Sequence, residues 1–123
     1  MTWIAVGAGG ALGAILRHGL NGWILRSNPL AGFPLGIFVV NVAGSATIGL
    51  LAGLVASNRI HLSPDARTFL IAGILGGFTT FSTFSLDTLN LLRSGQPMMA
   101  FLNVAGQVIL SLALVALGYR LAS

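Results

Sequence analysis

Hydrophobic residues along this chain fall into four long runs, at residues 3–25, 34–56, 64–93 and 97–121, divided by short polar stretches. A membrane-crossing helix needs about 20 predominantly apolar residues. The pattern therefore predicts an all-α membrane protein with four transmembrane helices. The first run stops at Arg26-Ser27-Asn28-Pro29, and the second precedes the longest polar stretch, residues 57–67. The third opens with a capping sequence: Ser63 as N-cap, Pro64 at the first helical position and Asp65 in the positively polarised first turn. It closes at Arg93-Ser94-Gly95, where Gly95 suits a left-handed cap, and Pro97 opens the fourth. Connections this short imply one up-and-down domain over residues 1–123. Met1-Thr2-Trp3 lacks the basic start of a signal peptide and the first run is long, so that run is expected to be kept as a membrane helix.

The third run is interrupted by Gly76-Gly77-Phe78-Thr79-Thr80-Phe81-Ser82-Thr83-Phe84-Ser85. Paired glycines and a series of hydroxyl residues propagate a helix poorly, which predicts a broken third helix. Broken backbone is not tolerated against lipid, so a break at mid-membrane must be buried in protein or line a cavity. Membrane proteins place ion sites at such breaks.

Composition narrows the class. Of 123 residues, 55% are hydrophobic and 7% charged, against about 25% charged in a soluble domain. The mean hydropathy is +0.93. There is no cysteine, which excludes a disulfide framework and a thiolate metal site. The net charge of +4 comes from six arginines against Asp65 and Asp87, without lysine or glutamate. The arginines stand singly between apolar runs, so nucleic acid is not the expected partner; the lipid bilayer is.

Orientation is undecided by charge. One side would carry Arg59, Arg67 and Arg120, the other Arg26, Arg93 and, if it snorkels that way, Arg17. The positive-inside rule returns a tie. Either one topology is weakly specified, or the chain inserts both ways and pairs as an antiparallel dimer. Four helices enclose little room for a pathway, which favours a dimer. Glycines four apart, Gly9 with Gly13, Gly32 with Gly36 and Gly49 with Gly53, allow close helix approach in lipid.

Polar residues inside the runs carry the candidate chemistry. Asn41 lies about 10 Å into the second run at 1.5 Å per residue, level with Phe81 and Phe84. Asn103, Gln107 and Ser111 follow at i, i+4 and i+8, one face of the fourth helix. Such a stripe either lines a hydrated path or glues helices together. A cation route or proton-coupled carrier needs a carboxylate near mid-membrane. Glutamate is absent, Asp65 is in a loop, and Asp87 falls towards the third run's end. Amide and hydroxyl hydrogens and aromatic edges are electropositive, which suits a small anion that accepts hydrogen bonds strongly. His18 and His61, near a run end and in a loop, read as solvated or interfacial residues. Arg17 and Asp87 share a half of the bilayer, where a structural ion pair is one expectation.

The decapeptide from Gly76 to Ser85, together with Gly36-x-x-x-Val40-Asn41 and Gly10-x-x-Gly13-x-x-x-Arg17, resembles the Fluc (CrcB-type) fluoride channel family. The likeness covers essentially the whole chain in length, number and order of spans. It implies an antiparallel, dual-topology homodimer with two fluoride pores, in the plasma (inner) membrane of a bacterium. It implies no enzyme activity. Carried over by motif position, Asn41 would be the pore amide, Phe81 and Phe84 the pore phenylalanines, and Ser82, Thr83 and Ser111 pore hydroxyls. Gln107 takes a position where the family's polar residue varies. A central structural Na⁺ would be held by the main-chain carbonyls of Gly76 and Thr79 from both subunits. Arg17 would stand near the vestibule.

Two other classes compete. A proton-coupled exporter of the small multidrug-resistance type also has four spans and dual topology. It needs an acidic residue in its first span, and none is present here. A non-transporting assembly or regulatory membrane protein would explain the glycines but not the polar stripe.

Overall fold

The structure, a computed structural model, describes residues 1–28, 30 and 32–123. Helix accounts for nearly all of it, and no strand occurs among the described residues. Helix α1 is Thr2–Arg26 and α2 is Leu35–Ala56. The third rod begins with α3, Pro64–Arg67, and widens into a π-helical segment, Thr68–Leu75. It continues through α4, Gly76–Phe78, to α5, Phe81–Arg93. The last helix is α6, Pro97–Ala122.

Local chemistry sets the ends. The Ser63 hydroxyl accepts the Ala66 N–H at 3.2 Å, with Pro64 and Asp65 in the first turn. After α5, Gly95 takes φ +74° and the Gln96 N–H reaches back to the Leu91 carbonyl at 2.9 Å. This closes the helix with a left-handed residue that glycine adopts without a Cβ penalty. Asn58 does the same after α2, at φ 58°.

Among the described residues, three rods are long and apolar enough to cross a membrane: Leu35–Ala56, Pro64–Arg93 and Pro97–Ala122. The expectation of four such spans is met on these terms by three. Helix α1 has the length, at 25 residues, but its many glycines and the polar Arg17, His18 and Asn21 dilute its hydropathy.

The helices pack as two close pairs. Helix α2 runs along α6, and α1 runs along the π-helical segment and α4. Both seams depend on missing side chains. A Cβ at Gly49 would strike the Val115 carbonyl, one at Gly53 would lie 2.5 Å from the Tyr119 carbonyl, and one at Gly118 2.9 Å from the Leu50 nitrogen. Across the other seam, Gly9 abuts Gly73, and a Cβ at Gly77 would lie 2.5 Å from the Gly10 carbonyl. Gly32 departs from the expected helix-face pairing with Gly36. It precedes α2, in the connection, with φ +84°.

Large apolar side chains dominate the outer surface, and the interior holds polar amides and glycines beside apolar residues such as Val40 and Phe84. On α6, Ile109 is 64% and Leu112 67% exposed, whereas Asn103 is 0% and Gln107 4% exposed. That inverts the arrangement of a soluble domain and fits a lipid surround.

Candidate functional site

Between α4 and α5, Thr79 (φ −87°, ψ 158°) and Thr80 (φ −153°, ψ 125°) are extended. Two backbone donors are thereby diverted from helical pairing. The Thr80 N–H donates to Asn41 Oδ1 at 2.9 Å, and the Thr83 N–H donates to the Thr80 hydroxyl at 3.2 Å. In a continuous helix those two groups would serve the carbonyls of Gly76 and Thr79. Both carbonyls are therefore released. The Thr79 carbonyl accepts instead a long bond, 3.5 Å, from Arg17 Nη1.

Asn41 meets the extended pair from α2. Its Nδ2 donates to the Thr80 carbonyl at 3.0 Å and to Gln107 Oε1 at 2.7 Å. Gln107 Nε2 donates to Asn103 Oδ1 at 2.9 Å, and Asn103 Nδ2 to the Thr88 hydroxyl at 3.0 Å. The Thr88 hydroxyl donates to the Phe84 carbonyl at 2.9 Å. A line of amides thus joins α2, α6 and α5. Buried polar groups cost about 1–3 kcal/mol when unpaired, which is why the interior amides are found bonded to one another.

Helix α5 starts at Phe81 because Thr80 caps it. The Ser82 hydroxyl lies 3.2 Å and the Thr83 hydroxyl 3.4 Å from the Thr80 hydroxyl. Phe81 and Phe84 are a tilted ring pair, centroids 5.4 Å apart with 59° between planes. Phe84 is buried at 8% exposure, while Phe81 stands out at 77%. Next to Phe81 a cavity of about 380 Å³ is lined by Asn41, Gly44, Ser45, Gly76, Thr79 and Thr80 together with apolar residues.

Of the residues singled out in the sequence, Asn41, Gln107, Thr79 and Phe81 converge here, and Gly76 is on the cavity wall. Ser82 and Thr83 gather at the cap. Ser111 lies one turn beyond Gln107, on the same helix, outside the amide line. Arg17 turns to the Thr79 carbonyl, and no ion pair joins it to Asp87 in the described structure. Sequence reasoning missed two groups, Thr80 and Thr88. A signal existed for Thr80, a hydroxyl immediately before a helical run, which is the N-cap pattern. None existed for Thr88, whose role depends on α5 facing α6.

A family model described as CrcB-like protein, Camphor Resistance (CrcB), matches residues 4–119. The chain is 46% identical over 115 residues to the fluoride-specific ion channel FluC of Nitratidesulfovibrio vulgaris, covering 94% of this chain and 91% of the relative. It is 48% identical over 119 residues to the protein of the same name from Thermus thermophilus, covering 97% and 91%. The Campylobacter fetus protein of that name is 47% identical over 118 residues, covering 96% and 91%. With near-complete coverage on both sides, this chain belongs to the CrcB-like family.

Proposed function

We infer that this protein is a fluoride-specific channel that lets the anion leave the cell passively, and that it is not an enzyme. The observation that carries the reading is the buried amide line beside the Phe81–Phe84 pair, a row of neutral donors with no carboxylate among them. Relatives that match it end to end are named fluoride-specific ion channels. Fluoride is small and strongly hydrated. A path for it needs successive weak partners, each able to release the ion. Gln107, Ser82, Thr83 and Ser111 supply amide and hydroxyl groups along a line that Asn41 anchors, and Phe81 and Phe84 present electropositive ring edges. Uncharged HF crosses lipid and dissociates in a near-neutral cytoplasm. The membrane potential then drives the trapped anion outward, so no coupling ion is required.

The reading includes an antiparallel homodimer of broken-helix, four-span subunits in the plasma (inner) membrane. The even split of arginines and the outward stance of Phe81 support it. A sodium ion would suit the carbonyls of Gly76 and Thr79, neutral oxygens lacking their helical donors, once the long contact from Arg17 to the Thr79 carbonyl yields. Bound there on the dimer axis, it would hold two such segments together as a structural charge. A proton-coupled exporter is disfavoured because α1 contains no acidic residue.

Purified protein in liposomes under an outward fluoride gradient should release fluoride to an electrode when the potential is collapsed with an ionophore. An equal chloride gradient should dissipate no faster than in empty liposomes. Fluoride release at the rate of empty liposomes would sink the reading.

A further inference from the structure

Asn41 has no hydrogen left to offer. Its two amide hydrogens go to the Thr80 carbonyl and to Gln107 Oε1, while its oxygen takes the Thr80 N–H. It therefore grips both backbone groups of one extended residue, as a neighbouring strand would. The Thr80 N–H is a backbone donor whose direction has no alternative. It fixes the Asn41 oxygen, which turns Nδ2 towards Gln107 and forces Oε1 to face it. Gln107 Nε2 must then face Asn103 Oδ1, and Asn103 Nδ2 must face Thr88. One peptide hydrogen sets the orientation of three amides. The amide hydrogens left over are the second ones on Gln107 Nε2 and Asn103 Nδ2.

Gly44 completes the seat. One turn after Asn41, it faces Thr79, and a Cβ there would collide with the Thr79 methyl, Cγ2. The absent side chain brings α2 close enough for the Asn41 amide to reach Thr80.

We propose that Asn41 is a positioning residue: it clamps the peptide groups of Thr80, holds the extended pair in place, and so sets the start of α5 and the placement of Phe81 and Phe84. Gln107, oriented by Asn41, is the amide next to the clamp that keeps a free hydrogen for the anion, and Asn103 keeps the other. This rests on the fluoride-channel reading for its functional consequence, but the clamp itself is a structural fact open to separate measurement.

Two variants of the full chain in liposomes test it. The first is Asn41→Ala. The second replaces Thr80 by its α-hydroxy acid, which converts the peptide N–H into an ester oxygen and leaves every side chain intact. Each variant leaves a buried group unpaired, so each should lose roughly tenfold in fluoride flux. Because both break one clamp, the combination should lose at most about threefold more than either. Full multiplication of the two losses, or an ester variant conducting at the wild-type rate, would overturn the proposal and make Asn41 a direct partner of the ion. Amide hydrogen exchange gives the second readout and needs no ion movement. In Asn41→Ala the Thr80 amide should exchange about tenfold faster while amides in the α2–α6 seam stay as protected as before. Unchanged Thr80 exchange would overturn the clamp even if flux fell. Wild-type protein that moves no fluoride, with Thr80 exchange still dependent on Asn41, would overturn the functional reading and leave the clamp standing.

Discussion

In the C-terminal half of α2, Gly49 and Gly53 let the α6 backbone come within contact distance. In the N-terminal half of the same helix, Gly44 and Asn41 meet Thr79 and Thr80, and Asn41 makes three hydrogen bonds there. Both halves use small residues to bring backbones together. The first does so for adhesion, since lipid supplies no hydrophobic drive and close van der Waals packing must replace it. The second does so to hold an irregular segment that membrane interiors tolerate only when its peptide groups are paired. Substitutions in the two halves should therefore fail differently: one in how much protein folds, the other in what the folded protein conducts.

The largest effect is expected at Asn41→Asp. A carboxylate keeps an acceptor for the Thr80 N–H but faces the Thr80 carbonyl and Gln107 Oε1, both acceptors, with its own negative charge. Fluoride flux in liposomes should be undetectable while the protein still elutes as a folded species. Wild-type flux would break the distinction between the two halves. Next is Phe84→Ile, with Phe81→Ile alongside. Isoleucine keeps bulk and removes the ring edge, so each should reduce flux more than about tenfold at unchanged assembly. A double isoleucine variant conducting normally would show that the rings only pack.

A smaller loss, several-fold in flux, is expected for Gly44→Ala, because overpacking costs about 1–3 kcal/mol where a neighbour must shift. That neighbour is the Thr79 methyl. Thr79→Ser removes it, so flux should recover in the double variant; failure to recover would mean the backbone, not the methyl, sets the distance. Gly49→Ala, in the other half, should lower thermal stability by about 1–3 kcal/mol, since its Cβ meets the fixed Val115 carbonyl. Flux per folded protein should remain at the wild-type level, and a change there would show that the seam also shapes the pathway. The smallest effect is at Gly19→Ala. No atom lies within 4 Å of that Cβ, so stability should rise by about 0.5–1 kcal/mol through helix propensity alone. A lower yield of folded protein instead would reveal that another chain covers this face of α1.

The amino-acid sequence determined whatever depends on neighbours along the chain. Helix positions follow from apolar run length, and the ends follow from Ser63, Pro64, Gly95 and Pro97, whose effects act within one turn. The stripe Asn103–Gln107–Ser111 was legible because a helix converts a four-residue spacing into a face. The weak helix signal of the segment from Gly76 to Ser85 was legible because glycine and hydroxyl residues disfavour helix residue by residue, and the family likeness added roles to its residues. Only the tertiary structure decided which faces meet. Spacing cannot separate Gly9, pressed against Gly73, from Gly10 and Gly19, whose Cβ positions are open. The choice depends on the rotation of α1 against its neighbour. Arg17 could be placed in the same bilayer half as Asp87, yet its partner is the Thr79 carbonyl. The direction of the amide line likewise needed the Thr80 N–H, a donor that the extended backbone frees and that α2 brings within reach of Asn41.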